Sequence, residues 1–212
     1  MGSVTIAATY GAGGSAVAPA VAERLGLHVV DRAIPIELAH SLALPLTEAL
    51  ADDERREGTL TRILTRAISM SGLFVGVPVA PEELGVDERI TATEHALREA
   101  ASAAGVVVLG RAAVFVLAHR ADTFHVRLDG PVEGRVRQAM EHFGIDEATA
   151  RQQQRESDMA RRAYVRHFYP GRRWEDPGNY HLVLDSTAIP VESCAELIVT
   201  AAGAYFASGH AG

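Results

Sequence analysis

The residues of this chain best suited to chemistry are five small ones in a row. Gly11-Ala12-Gly13-Gly14-Ser15 offers backbone N–H groups unhindered by bulky side chains, and Ser15 adds a hydroxyl. Set between a strand and a helix, such a turn aims N–H groups and the positive end of a helix at an anion, above all a phosphate. The sequence predicts that setting. An apolar run, Val4-Thr5-Ile6-Ala7-Ala8, precedes the turn, and an apolar-periodic segment from Ala16 to Leu25 follows it. The motif that cradles triphosphates reads G-x-x-x-x-G-K-[ST]. Ala8 and Gly13 stand at its glycine positions, Ser15 at its hydroxyl position, and Gly14 where the lysine belongs. Two other readings stay open. The turn could be a tight connection with no ligand. It could also serve a dinucleotide, as Gly11-x-Gly13-x-x-Ala16 with Asp31 as the acidic residue at the end of a second strand.

Other candidates lie further along. Gly110-Arg111 ends the apolar run Val106-Val107-Val108-Leu109, and an arginine at a strand's carboxyl end can take a phosphate bidentately. Seven arginines fall between positions 151 and 173, among them Arg161 and Arg162, with Asp158 in their midst. At helical spacing Asp158 and Arg161 can share a face, as can Arg161 and Tyr164. The segment reads as a solvated helix with internal ion pairs, as an anion-clamping lid, or as an RNA-binding stretch with interleaved aromatics. The histidines show no metal-ligand spacing, and no nucleophile elbow is visible.

The elements that must position these residues follow from periodicity. Short apolar strands are expected at 4–8, 27–31, 106–109, 123–128 and 180–185, with helices between them. The helices are expected at 16–25, 87–104, from Pro131 to about Phe143, from an N-cap at Asp146 onward, and at 191–205. Residues 33–71 read as mostly helical and 72–86 as a loop or flap rich in glycine and proline. Five buried strands separated by helices imply a parallel, doubly wound α/β sheet with helices on both faces. Ligands of such sheets sit at the carboxyl ends of the strands, where the glycine turn, Asp31 and Arg111 would converge.

Composition narrows the rest. The chain has 212 residues, 48% hydrophobic and 22% charged, with a net charge of −7, so one sizeable domain is expected and nucleic acid is not an expected partner. All 20 cationic side chains are arginine, so phosphate recognition must rest on arginine and backbone N–H groups. A single cysteine excludes an internal disulfide. No segment reads as membrane-spanning or as a secretory signal, and a cytoplasmic location is expected.

Taken together, TYGAGGSAVAPAVAERLGLHVVD, GVVVLGRAAVFVLAHRADTFHVRLDGPVEGRV and DMARRAYVRHFYPGRRWEDPGNYHLVLDST resemble a cytidylate kinase-like protein of the P-loop nucleoside monophosphate kinases. The resemblance implies a three-layer P-loop fold over residues 1–212, a five-stranded parallel sheet, a monophosphate-binding or flap region at 33–86 and a helical lid at 146–178. It implies ATP and Mg²⁺, with transfer of the γ-phosphoryl group to CMP or dCMP, and small nucleotides as partners; the oligomeric state is left open. Gly11, Ala12, Gly13, Gly14, Ser15 and Ala16 would cradle ATP, Ser15 facing Mg²⁺. Arg111, Asp31 and Tyr164 would serve the acceptor. Asp158, Arg161 and Arg162 would close over the transferring group, and Asp185-Ser186-Thr187 would lie near the donor base. The pattern also departs from true cytidylate kinases. Gly14 replaces lysine, Leu109-Gly110-Arg111-Ala112 lacks flanking carboxylates, and Glu37 stands for an arginine after the second strand. The glycine loop and the run Trp174, Asp176, Tyr180 resemble instead a divergent cytidylate kinase-like group, for which a catalytically weak nucleotide-binding or sensing role is the alternative.

Overall fold

The computed structural model describes residues 2–31, 86–103, 105–110 and 112–210. Strands β1 (Ser3–Ala8), β2 (His28–Asp31), β3 (Val106–Leu109), β4 (Thr123–Asp129) and β5 (Leu182–Asp185) form one sheet in the order β2-β3-β1-β4-β5. Every pairing is parallel. The helices are α1 (Gly14–Leu25), α2 (Val86–Ala103), α3 (Ala113–Val116), α4 (Val132–Phe143), α5 (Glu147–Phe168) and α6 (Val191–Tyr205). The expected parallel α/β sheet is therefore present, with element ends within two residues of those read from periodicity. The expected helices at 33–71 and the flap lie outside the described residues, apart from Val86, which opens α2.

Alternation along the strands builds the two faces. Val4, Ile6, Val107, Phe124, Val126 and Leu128 point to one side, where they meet Val17 and Val21 of α1 and Ala195 and Ile198 of α6. On the other side Val30, Val106 and Val108 meet Leu97 and Ala101 of α2 and Ala113 and Leu117 at α3. Each fully buried valine, leucine or isoleucine contributes about 1.5–3 kcal/mol. Gly26 ends α1 in the left-handed conformation, φ 64°, and the Leu27 N–H returns to the Ala22 carbonyl, which turns the chain straight into β2. Asp146 caps α5 as its sequence position predicts, its Oδ1 accepting the Thr149 N–H at 2.8 Å.

Strand β4 carries a surprise. Thr123, His125 and Arg127 alternate with apolar residues as on a half-solvated strand, yet all three are buried. The segment after α5 covers His125 and Arg127. Arg127 lies 4.3 Å from the Trp174 ring centroid and donates to the Trp174 carbonyl at 2.9 Å, while the Tyr180 hydroxyl donates to the same carbonyl at 2.6 Å. His125 Nδ1 is 2.7 Å from Thr5 Oγ1, and its ring stacks on His181. Burial, and secondarily the neighbouring His181, push the His125 pKa down to about 4.

A pH dependence follows. Between pH 6.5 and 4 the unfolded chain binds a proton at His125 that the folded chain refuses, so stability rises with pH in that window and is lost as pH falls through it. About 3 kcal/mol is at stake over that shift. In His125→Asn, urea unfolding is expected to show this part of the acid slope flattened; an unchanged slope would remove His125 as its source.

Candidate phosphate site

The glycine turn leaves β1 at the carboxyl edge of the sheet and enters α1. Gly11 (φ 74°) and Gly13 (φ 67°) both hold left-handed conformations that only glycine adopts without strain. At Gly11 a Cβ would also sit 2.2 Å from the Arg135 carbonyl oxygen, so α4 packs against the loop backbone itself. Gly13 is the N-cap of α1 and supplies no side-chain cap; the Ala16 N–H turns in to the Gly13 carbonyl at 3.1 Å, which leaves the Gly14 and Ser15 N–H groups to face an anion. Ala12 and Gly14 are buried within this turn, Ser15 is half-buried and Ala16 exposed. The Ser15 hydroxyl makes no hydrogen bond to a described residue. The loop thus fits polyphosphate, and Ser15 fits a hydroxyl ligand for Mg²⁺; the cation of the usual motif is missing from it.

What holds the loop was not legible as a motif. Thr9 Oγ1 donates to Asp129 Oδ1 at 3.0 Å, and the Thr9 N–H donates to the Leu128 carbonyl. Tyr10 leaves the loop for the side of α4 and α5, packing with Val136, Ala139 and Ala150 while its hydroxyl meets Gln153. The Arg135 guanidinium, buried, donates to the Tyr10 carbonyl at 3.1 Å and to Asp158 Oδ2 at 2.9 Å. From the other side the buried Ser186 hydroxyl donates to the Ala12 carbonyl at 2.8 Å. Thr9, Tyr10, Asp129 and Arg135 are therefore loop supports that the sequence reading passed over, and Ser186, expected near the donor base, instead holds the loop backbone. The one available signal was a charged residue, Arg135, at a core position of an amphipathic helix. Ser186→Ala is expected to cost about 1–2 kcal/mol in urea unfolding and to weaken any loop ligand by a similar amount; stability lost with affinity unchanged would separate Ser186 from the site.

The predicted lid residues fall in different places. Asp158 is buried on α5 and accepts from Arg135, Arg161 (3.1 Å) and the Gln154 amide (2.7 Å), with the Tyr10 N–H at a longer 3.5 Å. Burial pushes its carboxyl up, but the Arg161 and Arg135 guanidiniums and the Gln154 amide outweigh that and hold it below the usual carboxylate value. Arg161 is buried beside it, 5.9 Å from the Trp174 ring. Arg162 points outward, half exposed, 3.9 Å from Glu175. Tyr164 packs with Phe168 and Tyr169 in an aromatic group at the end of α5. Asp31 ends β2 in register with Leu109 of β3, at the same edge of the sheet as the loop. Arg111 lies outside the described residues. Asp185 turns back on Thr187, whose side chain packs against Gly130 and Gly134 at the start of α4.

Two carboxylates, Asp129 and Asp158, thus flank the first half of the loop, and Arg127, Arg135 and Arg161 converge on them. Residues 3–188 match the Cytidylate kinase-like family. The chain belongs to that family. The glycine loop stands at the first βα turn of its β2-β3-β1-β4-β5 parallel sheet. Among solved structures, an uncharacterized protein from Eubacterium ventriosum ATCC 27560 is 16% identical over 96% of this chain and 99% of its own, with a TM-score of 0.65. A gluconokinase from Sinorhizobium meliloti 1021 is 17% identical over 98% of this chain and 97% of its own, with a TM-score of 0.51. Both likenesses show the fold alone, a parallel sheet flanked by helices. No curated protein matches the sequence. Among the described residues no helix is long and apolar enough to cross a membrane.

Proposed function

We propose that this family member is an ATP-dependent nucleoside monophosphate kinase, acting on CMP or dCMP, that works without a lysine in its phosphate loop. One observation carries the reading. The Asp158 carboxylate bridges the loop residue Tyr10 and the Arg161 guanidinium, so a cation that cannot lose its proton is fixed beside a loop that has none. Phosphoryl transfer asks the protein for positioning and for charge neutralisation around the β- and γ-phosphates. The N–H groups of Gly13, Gly14 and Ser15 would hold the donor phosphates, with Ala16 next to them, and Ser15 would face Mg²⁺. The metal, when bound, would screen charge between phosphate oxygens. Arg161 would supply the positive charge that lysine supplies elsewhere, with Asp158 as its anchor. Arg162, half exposed and 3.9 Å from Glu175, is given no part in the transfer. Asp31, Arg111 and Tyr164 are assigned to the acceptor on the family pattern alone.

Gly14 supports a second reading, a nucleotide-binding or sensing protein with weak catalysis. The two separate cleanly. With MgATP present, CMP, dCMP and UMP are each tested for ADP release and, in parallel, for a shift in melting temperature, with NAD as a control ligand. Turnover with CMP or dCMP supports the kinase. Thermal shifts without turnover by folded protein would favour sensing, and a shift with NAD alone would return the loop to the dinucleotide class.

A further inference from the structure

The missing lysine is tied to a second departure in the same motif. At Gly14 an added Cβ would lie 2.6 Å from the Ala8 Cβ and 3.0 Å from Leu109 Cδ1. Leu109 can swing the end of its side chain away. The Ala8 methyl cannot swing aside, because it has no torsion of its own to turn and its backbone, the last residue of β1, is held in register with Leu128 of β4. Ala8 occupies the first glycine position of the motif, the one that has no side chain where lysine is present. We propose that Ala8 is the positioning residue that keeps this loop without a cation: its methyl group fills the space that any side chain at position 14 needs. The two departures are then a single exchange across the base of the loop. A lysine cannot return at position 14 unless Ala8 becomes glycine, and charge for a bound polyphosphate has to arrive from outside the loop.

The inference rests on the loop being a polyphosphate site, but its first test does not. Gly14 opens α1, and no left-handed conformation occurs there. Gly14→Ala at such a position ordinarily stabilises, because alanine has fewer unfolded conformations to lose and a better helix propensity. Here it is expected to lower Tm by roughly 5 °C. In an Ala8→Gly background the same Gly14→Ala change is expected to be neutral or to raise Tm. A Gly14→Ala effect of equal sign and size in both backgrounds would overturn the proposal. The second test uses calorimetric titration with inorganic tripolyphosphate and Mg²⁺. Ala8→Gly/Gly14→Lys is expected to bind at least about tenfold more tightly than wild type, whereas Gly14→Lys alone is expected to bind no better or to lose stability. Reversal of the Gly14→Ala effect with no gain in affinity would leave the steric pairing standing and overturn the polyphosphate reading of the loop. Equal affinity gains for Gly14→Lys with and without Ala8→Gly would overturn the role given to Ala8.

Discussion

Arg161→Met is expected to lower the rate of phosphoryl transfer about 1000-fold, within the range measured when a transition-state arginine is supplied or withheld. Binding of the nucleotide donor should weaken much less, by less than about tenfold, so the loss appears in kcat rather than KM. The reason is geometric. Arg161 is buried and fixed by Asp158, and Asp158 in turn sits beside the loop at Tyr10. Methionine keeps most of the packing volume, and Asp158 keeps Arg135 and Gln154, so the fold should survive. Arg162→Met serves as the contrast. Its guanidinium is half exposed and only loosely paired with Glu175, so a change of less than about threefold is expected. Equal effects of the two substitutions would show that local positive charge matters and that the anchored position of Arg161 does not.

Asp158→Ala is the second large effect, and it should appear first in stability. The carboxylate serves two buried guanidiniums, Arg135 and Arg161, and removing one partner of such a group costs about 3–5 kcal/mol. For a chain of 212 residues that corresponds to a fall in Tm of roughly 10 °C. The sign with pH is fixed by the direction of the Asp158 shift. Its folded pKa is depressed, so its stabilisation is complete above the unfolded value near 3.8 and disappears as pH falls through the lower folded value. Wild type and Asp158→Ala should therefore differ fully at neutral pH and converge in strong acid, a window below the one assigned to His125. Asp158→Asn, which keeps an acceptor oxygen, should recover part of the loss. A constant difference down to the most acid pH would mean that the carboxylate's charge contributes nothing.

The fold was open to a sequence reading because its evidence is local. Strand runs such as Val106 to Leu109 and the helix pattern of α1 carry their own periodicity, and Gly26 and Asp146 mark ends through backbone conformation and capping. The glycine loop was legible for the same reason. Its supports were not, because they are long-range. Nothing local says that Ser186 will bond the Ala12 carbonyl, or that Arg135 will serve both Tyr10 and Asp158. The burial of Thr123, His125 and Arg127 was hidden too. Their alternation is that of a half-exposed strand, and it is the return of Trp174, Tyr180 and His181 over the sheet that covers Arg127 and His125. Most instructive is Gly14. From the sequence it is a lost lysine; in the structure it is a position where the Ala8 methyl leaves no room for a side chain.

The central claim is phosphoryl transfer through a loop without a lysine, and phosphorus NMR of the folded wild-type chain with MgATP and CMP tests it most directly. ADP and CDP are expected to appear together and in equal amounts as ATP disappears. ATP and CMP left unchanged beside folded protein, or ATP converted to ADP and inorganic phosphate with no CDP, would contradict it.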